Sequence, residues 1–169
     1  MTIYKLDMDT PIGVLEMIGT ENAVVSILFA DRETPAYPCQ PDTPDALQQC
    51  AQQLTEYFDG TRTVFSFPYS YEGTAFQSQV WHALKDIPFA GTGTYLNLAQ
   101  AIGNEKAVRA VGSANGRNKL SIVIPCHRII GSNGTLTGYA GGLWRKEWLL
   151  QHEQSVAQAH SIRNHGESG

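Results

Sequence analysis

The stretch Ser121-Ile-Val-Ile-Pro-Cys-His-Arg-Ile-Ile-Gly131 constrains this chain most tightly. Apolar residues on both sides (Ile122, Val123 and Ile124, then Ile129 and Ile130) predict buried strand around a polar insert. Pro125 removes a backbone donor and disfavours helix just before it, so the chain must leave a regular ladder at Cys126. Any fold that buries this run also buries a nucleophile, a base and a cation in succession: Cys126, His127 and Arg128. A cysteine in a rigid, partly buried turn beside a histidine can be held as the reactive thiolate. A cysteine in an apolar run is also, commonly, a small core residue. The residues upstream weigh between the two.

Thr74-Ala-Phe-Gln77 is a capping box, and Phe76, Val80, Trp81 and Leu84 mark the core face of a helix ending near Lys85. His82 falls on the solvated side. A short helix follows, capped by Thr94 and stopped by Gly103. A second runs from about Lys106 to Ala114, with Ala107, Ala110, Val111 and Ala114 on one packed face and Lys106, Arg109 and Ser113 on another. Two short helices with a tight glycine turn match a helix-turn-helix, or equally two ordinary packed helices with a solvated charged face. Asn115-Gly-Arg-Asn118 reads as the loop into the cysteine segment. The turn Gly131-Ser-Asn-Gly134 would let residues 121–130 and 135–140 pair as a hairpin or wing. A last helix is predicted from Leu143 to about Glu153, with Trp144 and Trp148 in the core, and then a flexible tail in which His160 and His165 need not mean metal.

The first half has a different character. Residues 2–8, 13–19 and 23–29 read as an antiparallel meander. Thr43 as cap and Pro44 at the first helical position announce a helix whose buried face carries Leu47, Cys50, Ala51, Leu54, Tyr57 and Phe58, and Gly60 ends it. Residues 62–69 look like another strand. This half reads as scaffold. The predicted organisation is an α/β domain over residues 1–70, a mostly helical domain over 71–153 that carries the cysteine, and the tail over 154–169.

Net charge is −4, which argues against a polyanionic partner until it is resolved along the chain. Residues 1–84 hold three Lys/Arg against eleven Asp/Glu, whereas residues 85–153 hold eight against four. Screening confines a surface field to roughly 8 Å at physiological salt, so a basic face on an acidic protein can still bind nucleic acid. Cys39, Cys50 and Cys126 have no metal-ligand spacing and leave an odd cysteine, against a disulfide framework. No apolar run is long enough to cross a membrane, and Met1-Thr-Ile-Tyr-Lys5 lacks the pattern of a signal peptide, which predicts a reducing compartment.

Ile124-Pro-Cys-His-Arg128, the preceding Lys106-Ala-Val-Arg-Ala-Val-Gly112, the loop Asn115-Gly-Arg-Asn118, the following Gly138-Tyr-Ala-Gly-Gly142 and the downstream Leu149-Leu-Gln-His-Glu153 closely resemble the O6-alkylguanine-DNA alkyltransferases. The resemblance runs from about Thr74 to Glu153. It implies a ribonuclease-H-like N-terminal α/β domain and a winged-helix-like C-terminal reader of DNA. It also implies direct, irreversible, single-turnover repair: Cys126 takes the alkyl group, mainly methyl, from O6 of guanine, and also from O4 of thymine, after the base is flipped out from the minor groove.

By that resemblance His127 is the base and Glu153 holds its far nitrogen, in the logic of a catalytic triad. Neighbours on an extended strand face opposite ways, so His127 acts through a water or after reorientation by the turn. Tyr95 stabilises the leaving purine and helps turn the nucleotide out, a role suited to a phenol donor. Arg109 takes the flipped base's place in the stack. Ala107, Ala110 and Gly112 keep the helix slim enough for the minor groove, with Lys106 and Ser113 also on the DNA side. Asn118 ties the helix pair to the active-site strand, Pro125 and Arg128 shape it, the backbone at Cys126 and Ile129 reads the guanine edge, and Tyr139 walls the pocket. No cofactor and no metal are implied. The partner is double-stranded DNA containing O6-alkylguanine, not a membrane; the protein is a monomer, cytoplasmic at the nucleoid, or nuclear in a eukaryote. Lys119 and Ser121 stand where many members carry proline, and this puts the range of adduct sizes in question.

Three rival readings remain: a non-catalytic alkyl-base sensor, in which the cysteine would be replaced; a dimeric helix-turn-helix regulator with a structural cysteine; and a Cys-His-Glu hydrolase that turns over.

Overall fold

The computed structural model describes residues 2–167, with side chains as far as Ser161; the side chain of His165 and the last two residues of the predicted tail lie outside the described residues. Three strands, β1 (Tyr4–Thr10), β2 (Gly13–Gly19) and β3 (Val24–Phe29), form the predicted antiparallel meander. Helix α1 (Asp45–Asp59) packs across it, burying Leu47, Cys50, Leu54 and Tyr57 against Leu6, Leu15, Met17 and Ile27. Gly60, at φ 82°, closes the helix in the left-handed conformation that glycine adopts without a Cβ clash. Thr43 is not its cap: the cap position falls on Pro44, and the Thr43 hydroxyl instead accepts from the Gln40 amide at 2.8 Å.

The free edge of β3 positions the rest of the molecule. Val24 donates to the Pro68 carbonyl at 3.0 Å and accepts from Ser70 at 2.9 Å. Ile27 donates to Lys119 at 2.8 Å and accepts from Ser121 at 3.1 Å. The sheet thus grips the chain just ahead of the cysteine turn. The strand predicted over 62–69 is absent. Only Tyr69 reaches a ladder position, because the alternating Phe65 and Phe67 bury against the Tyr57 ring and each other rather than pairing in register.

Helices α2 (Ala75–Leu84), α3 (Tyr95–Ala101) and α4 (Val108–Gly116) form the second unit. Capping boxes at Thr74 with Gln77 and at Thr94 with Asn97 fix the starts of α2 and α3. The Trp81 indole donates to the Ala114 carbonyl at 2.8 Å and locks α2 to the end of α4. Asn115 and Gly116 belong to α4 rather than to a loop, and Ala110 is exposed rather than packed; the buried face holds Val111, Ala114 and Asn115. A two-stranded parallel ladder, β4 (Gly93–Thr94) with β5 (Ile129–Ile130), joins the start of α3 to the residues after the cysteine.

The predicted wing does not form. Residues 121–124 make successive turns rather than a strand, and Gly131 to Gly134 closes a turn with no hairpin beyond it. The last helix, α5 (Leu143–Glu167), continues well past Glu153, so the predicted flexible tail begins as helix. Trp144 is exposed and stacks with Arg145, whose Nε donates to the Ile12 carbonyl at 2.7 Å; Trp148 is half-buried.

Candidate active site

The cysteine turn is built by Asn118. Its side-chain carbonyl accepts from the Leu120 amide at 2.9 Å, and its amide group donates to the Ile124 carbonyl at 2.8 Å and to Cys126 Sγ at 3.2 Å. One buried side chain therefore replaces the ladder that an extended 121–124 would need. The cost is visible at Ile122, which sits at φ 72°, a region that β-branched residues rarely enter. Pro125 then leads into a single 3-10 turn over Cys126–Arg128, buried throughout, and Ile129 resumes extended structure.

This turn breaks strand alternation and sends His127 and Arg128 together toward Glu153 on α5. His127 Nε2 lies 2.7 Å from Glu153 Oε2. Arg128 donates from Nε to Oε1 at 2.8 Å, from Nη2 to Oε2 at 3.1 Å, and from Nη1 to the Ile87 carbonyl at 2.8 Å. The Ala90 amide reaches Oε1 at 3.2 Å, and the Tyr57 hydroxyl reaches Oε2 at 2.6 Å. These donors hold Glu153 far below the usual carboxylate range although it is fully buried. It is therefore the fixed anion of the site.

Burial pushes His127 below its usual value, against the pull of Glu153. A neutral imidazole that donates from Nε2 to a carboxylate carries its lone pair on Nδ1. That atom is buried without a hydrogen-bond partner. Buried polar atoms are almost always satisfied, so an open acceptor one residue from the nucleophile marks where a proton can arrive.

Cys126 is 6 % exposed, and burial raises its thiol above the ordinary range. The Asn118 donor and the positive charge of Lys146 pull the other way. The resting sulfur is thus a thiol with its thiolate partially prepaid, not the standing thiolate that the sequence suggests. Lys146 is fully buried on α5, donates to the Thr137 carbonyl at 3.1 Å, and is pushed below its usual value by desolvation. In the sequence it is one of eight cations of residues 85–153. Its signal was there: Lys146, Leu149 and Glu153 follow at i, i+3 and i+7, one helix stripe. Tyr57, read as core alone, is the other residue missed.

Tyr95, first residue of α3, shares a hydrogen bond with the Thr137 hydroxyl at 2.7 Å. A Cβ added at Gly112 would lie 3.7 Å from its ring, so α4 and Tyr95 pack closely. The Tyr139 hydroxyl is buried without a partner, a second open polar atom in the site. The remaining predicted contacts are on the outside. Lys106, Arg109, Ala110 and Ser113 are exposed on α4 and the 3-10 turn before it, with Ala107 and Gly112 half-buried. Among the described residues, no cluster of three or more His, Cys, Asp or Glu could hold a metal ion, and no helix is long and apolar enough to cross a membrane.

Two family descriptions match successive stretches of the chain. Residues 3–71 match the ribonuclease-like domain of 6-O-methylguanine DNA methyltransferase, and residues 75–155 match its DNA binding domain. The methylated-DNA–protein-cysteine methyltransferase of Methanosarcina acetivorans is 41% identical over 155 residues, covering 90% of this chain and 99% of the relative. The constitutive Bacillus subtilis protein of that name is 44% identical over 158 residues, covering 89% and 95%. The crystal structure of Mycobacterium tuberculosis O6-methylguanine methyltransferase superposes with a TM-score of 0.81 at 37% identity, covering 92% of this chain and 94% of that one. The M. tuberculosis protein in complex with DNA superposes with the same score at 39% identity, covering 90% and 94%.

Proposed function

The chain belongs to the 6-O-methylguanine DNA methyltransferase family, and on that premise we propose how its own residues carry the reaction. It is a methylated-DNA–protein-cysteine methyltransferase: it repairs alkylated DNA by moving the alkyl group to a cysteine of its own. The cysteine is Cys126. Its proton passes, through a bridging water, to His127 Nδ1. Glu153 stabilises the imidazolium that results. The sulfur lone pair then forms an S–CH3 bond as the CH3–O6 bond breaks, its electron pair leaves with the purine, and the proton ends on guanine. Water does not displace a thiolate from the methyl carbon of a thioether at neutral pH, so each molecule reacts once.

The observation that carries this reading is the bare His127 Nδ1 beside a buried thiol, with Nε2 committed to Glu153. It favours proton removal at the moment of reaction over a permanently ionised sulfur. Asn118 and Lys146 stabilise the charge that develops there. Tyr95 exchanges Thr137 for the leaving purine, and Tyr139 walls the pocket.

DNA meets the face of α4. Lys106 and Ser113 contact the backbone, Ala107, Ala110 and Gly112 allow close approach in the minor groove, and Arg109 fills the gap left by a flipped base. O4-alkylthymine is a second substrate. The protein acts as a monomer where the chromosome is, in the cytoplasm of a prokaryote. Duplex carrying a labelled methyl group on O6 of guanine tests the proposal. Label should move to protein up to one equivalent and stop, and Cys126→Ala should take none. Transfer by Cys126→Ala, or release of label as methanol, would overturn it.

A further inference from the structure

We infer that Tyr57, on helix α1 of the N-terminal half, is a positioning residue for the transfer reaction: its hydroxyl holds the Glu153 carboxylate in place and shares with His127 the oxygen that would stabilise imidazolium. The inference rests on the function proposed above and extends it to a part of the chain that reads as scaffold.

The geometry is specific. Tyr57 donates to Glu153 Oε2 at 2.6 Å, across 96 residues of sequence, and His127 uses that same oxygen at 2.7 Å. The backbone carbonyl of Tyr57 accepts from His152 Nε2 at 2.8 Å, so two consecutive residues of α5 hold both ends of residue 57. The His152 ring stacks on Trp148 with centroids 4.8 Å apart, and the Tyr57 ring is boxed by Phe58, Phe65 and Phe89. Burial and the neighbouring carboxylate keep the phenol protonated, hence always a donor.

A merely satisfied core hydroxyl would be indifferent to which acceptor it found. This one draws electron density from the acceptor of the catalytic histidine. Every hydrogen bond to Oε2 reduces the charge that His127 can see. The other groups facing the pair are Arg128 and Cys126 on the cysteine turn, Lys146 and His152 on α5, and Tyr139 ahead of it. Among these, only Arg128 reaches Oε2, so beside the imidazole itself Tyr57 is the neutral donor to that oxygen among the described residues.

Tyr57→Phe keeps the ring and removes the donor. With Oε2 released to the imidazole, His127 becomes more basic. The acid limb of the single-turnover rate profile, and the His127 imidazole titration followed by NMR in the DNA-free protein, should both move upward by roughly half to one pH unit, the scale of one ordinary hydrogen bond. Site-specific 3-fluorotyrosine at position 57, a stronger donor, should move both downward. It also keeps the test open should Tyr57→Phe fold poorly. Phe65→Leu loosens the same packing and should lower Tm while leaving both midpoints alone.

Midpoints unmoved by either change at position 57 would overturn the inference, as would a lower Tm with both midpoints fixed, which is the signature of packing alone. Absence of transfer by the unsubstituted protein would overturn the function instead, and the NMR midpoints would still report on Tyr57.

Discussion

The cysteine turn and the exposed face of α4 lie in one half of the chain and are built in opposite ways. Around Cys126 every residue from Leu120 to Ile129 is buried, and a carboxylate holds a histidine, an arginine, a tyrosine and a backbone amide at once. On α4 and the 3-10 turn before it, Lys106, Arg109, Ala110 and Ser113 stand in solvent, and among the described residues neither cation of that face forms an ion pair. In the proposed function the buried turn is therefore chemistry assembled before substrate arrives, and the open face is the surface that the proposed DNA contacts complete.

That contrast can be broken by asking whether a substitution affects duplex and free O6-alkylated base alike. The largest effect belongs to the buried turn: Cys126→Ala should abolish transfer from both substrates and keep duplex affinity, read by gel shift. Glu153→Gln should follow, slowing transfer to both by about 10²–10⁴-fold, the usual worth of a positioned acid–base group. Lys146→Met removes the cation that favours the thiolate. It should move the pH profile of Cys126 alkylation by a small haloacetamide to higher pH, again without regard to DNA. Arg109→Ala should show the other signature: about tenfold slower repair in duplex, the scale of one lost stacking contact, with free-base transfer unchanged. Equal loss on both substrates would erase the distinction between the two regions.

The smallest effect is on stability. The folded state holds His127 below its usual 6.5, so unfolded protein binds the extra proton first as pH falls. The His127 contribution is complete above about 6.5 and is lost as pH falls below it. Glu153, lowered from 4.5, adds a second loss below that value. Urea midpoints should decline from pH 7.5 to 5.5, and less steeply in His127→Gln.

Local signals were legible in the sequence. The capping box at Thr74 and the cap at Thr94 are local signals and form as read, the second completed by Asn97. The three-stranded meander follows from alternation and turn residues alone. The apolar run Ile122–Ile124 misled, because strand propensity is local whereas Asn118 withdraws its carbonyls into a turn. Phe65 and Phe67 misled in the same way, their side chains taken by an aromatic cluster. Glu153 came only from the family resemblance, since its partner lies 26 residues away. Tyr57 sits at a helical spacing that looks apolar until α5 supplies Glu153, and Lys146 looks like surface charge until the loop carbonyl of Thr137 accepts its hydrogen bond.

Peptide mass spectrometry after incubation with O6-methylguanine duplex tests the central claim most directly. A peptide containing Cys126 should gain the mass of one methylene, stoichiometric with guanine restored in DNA, while the Cys39 and Cys50 peptides stay unchanged. Restored guanine with Cys126 unmodified, or guanine formed in excess of protein, would contradict it.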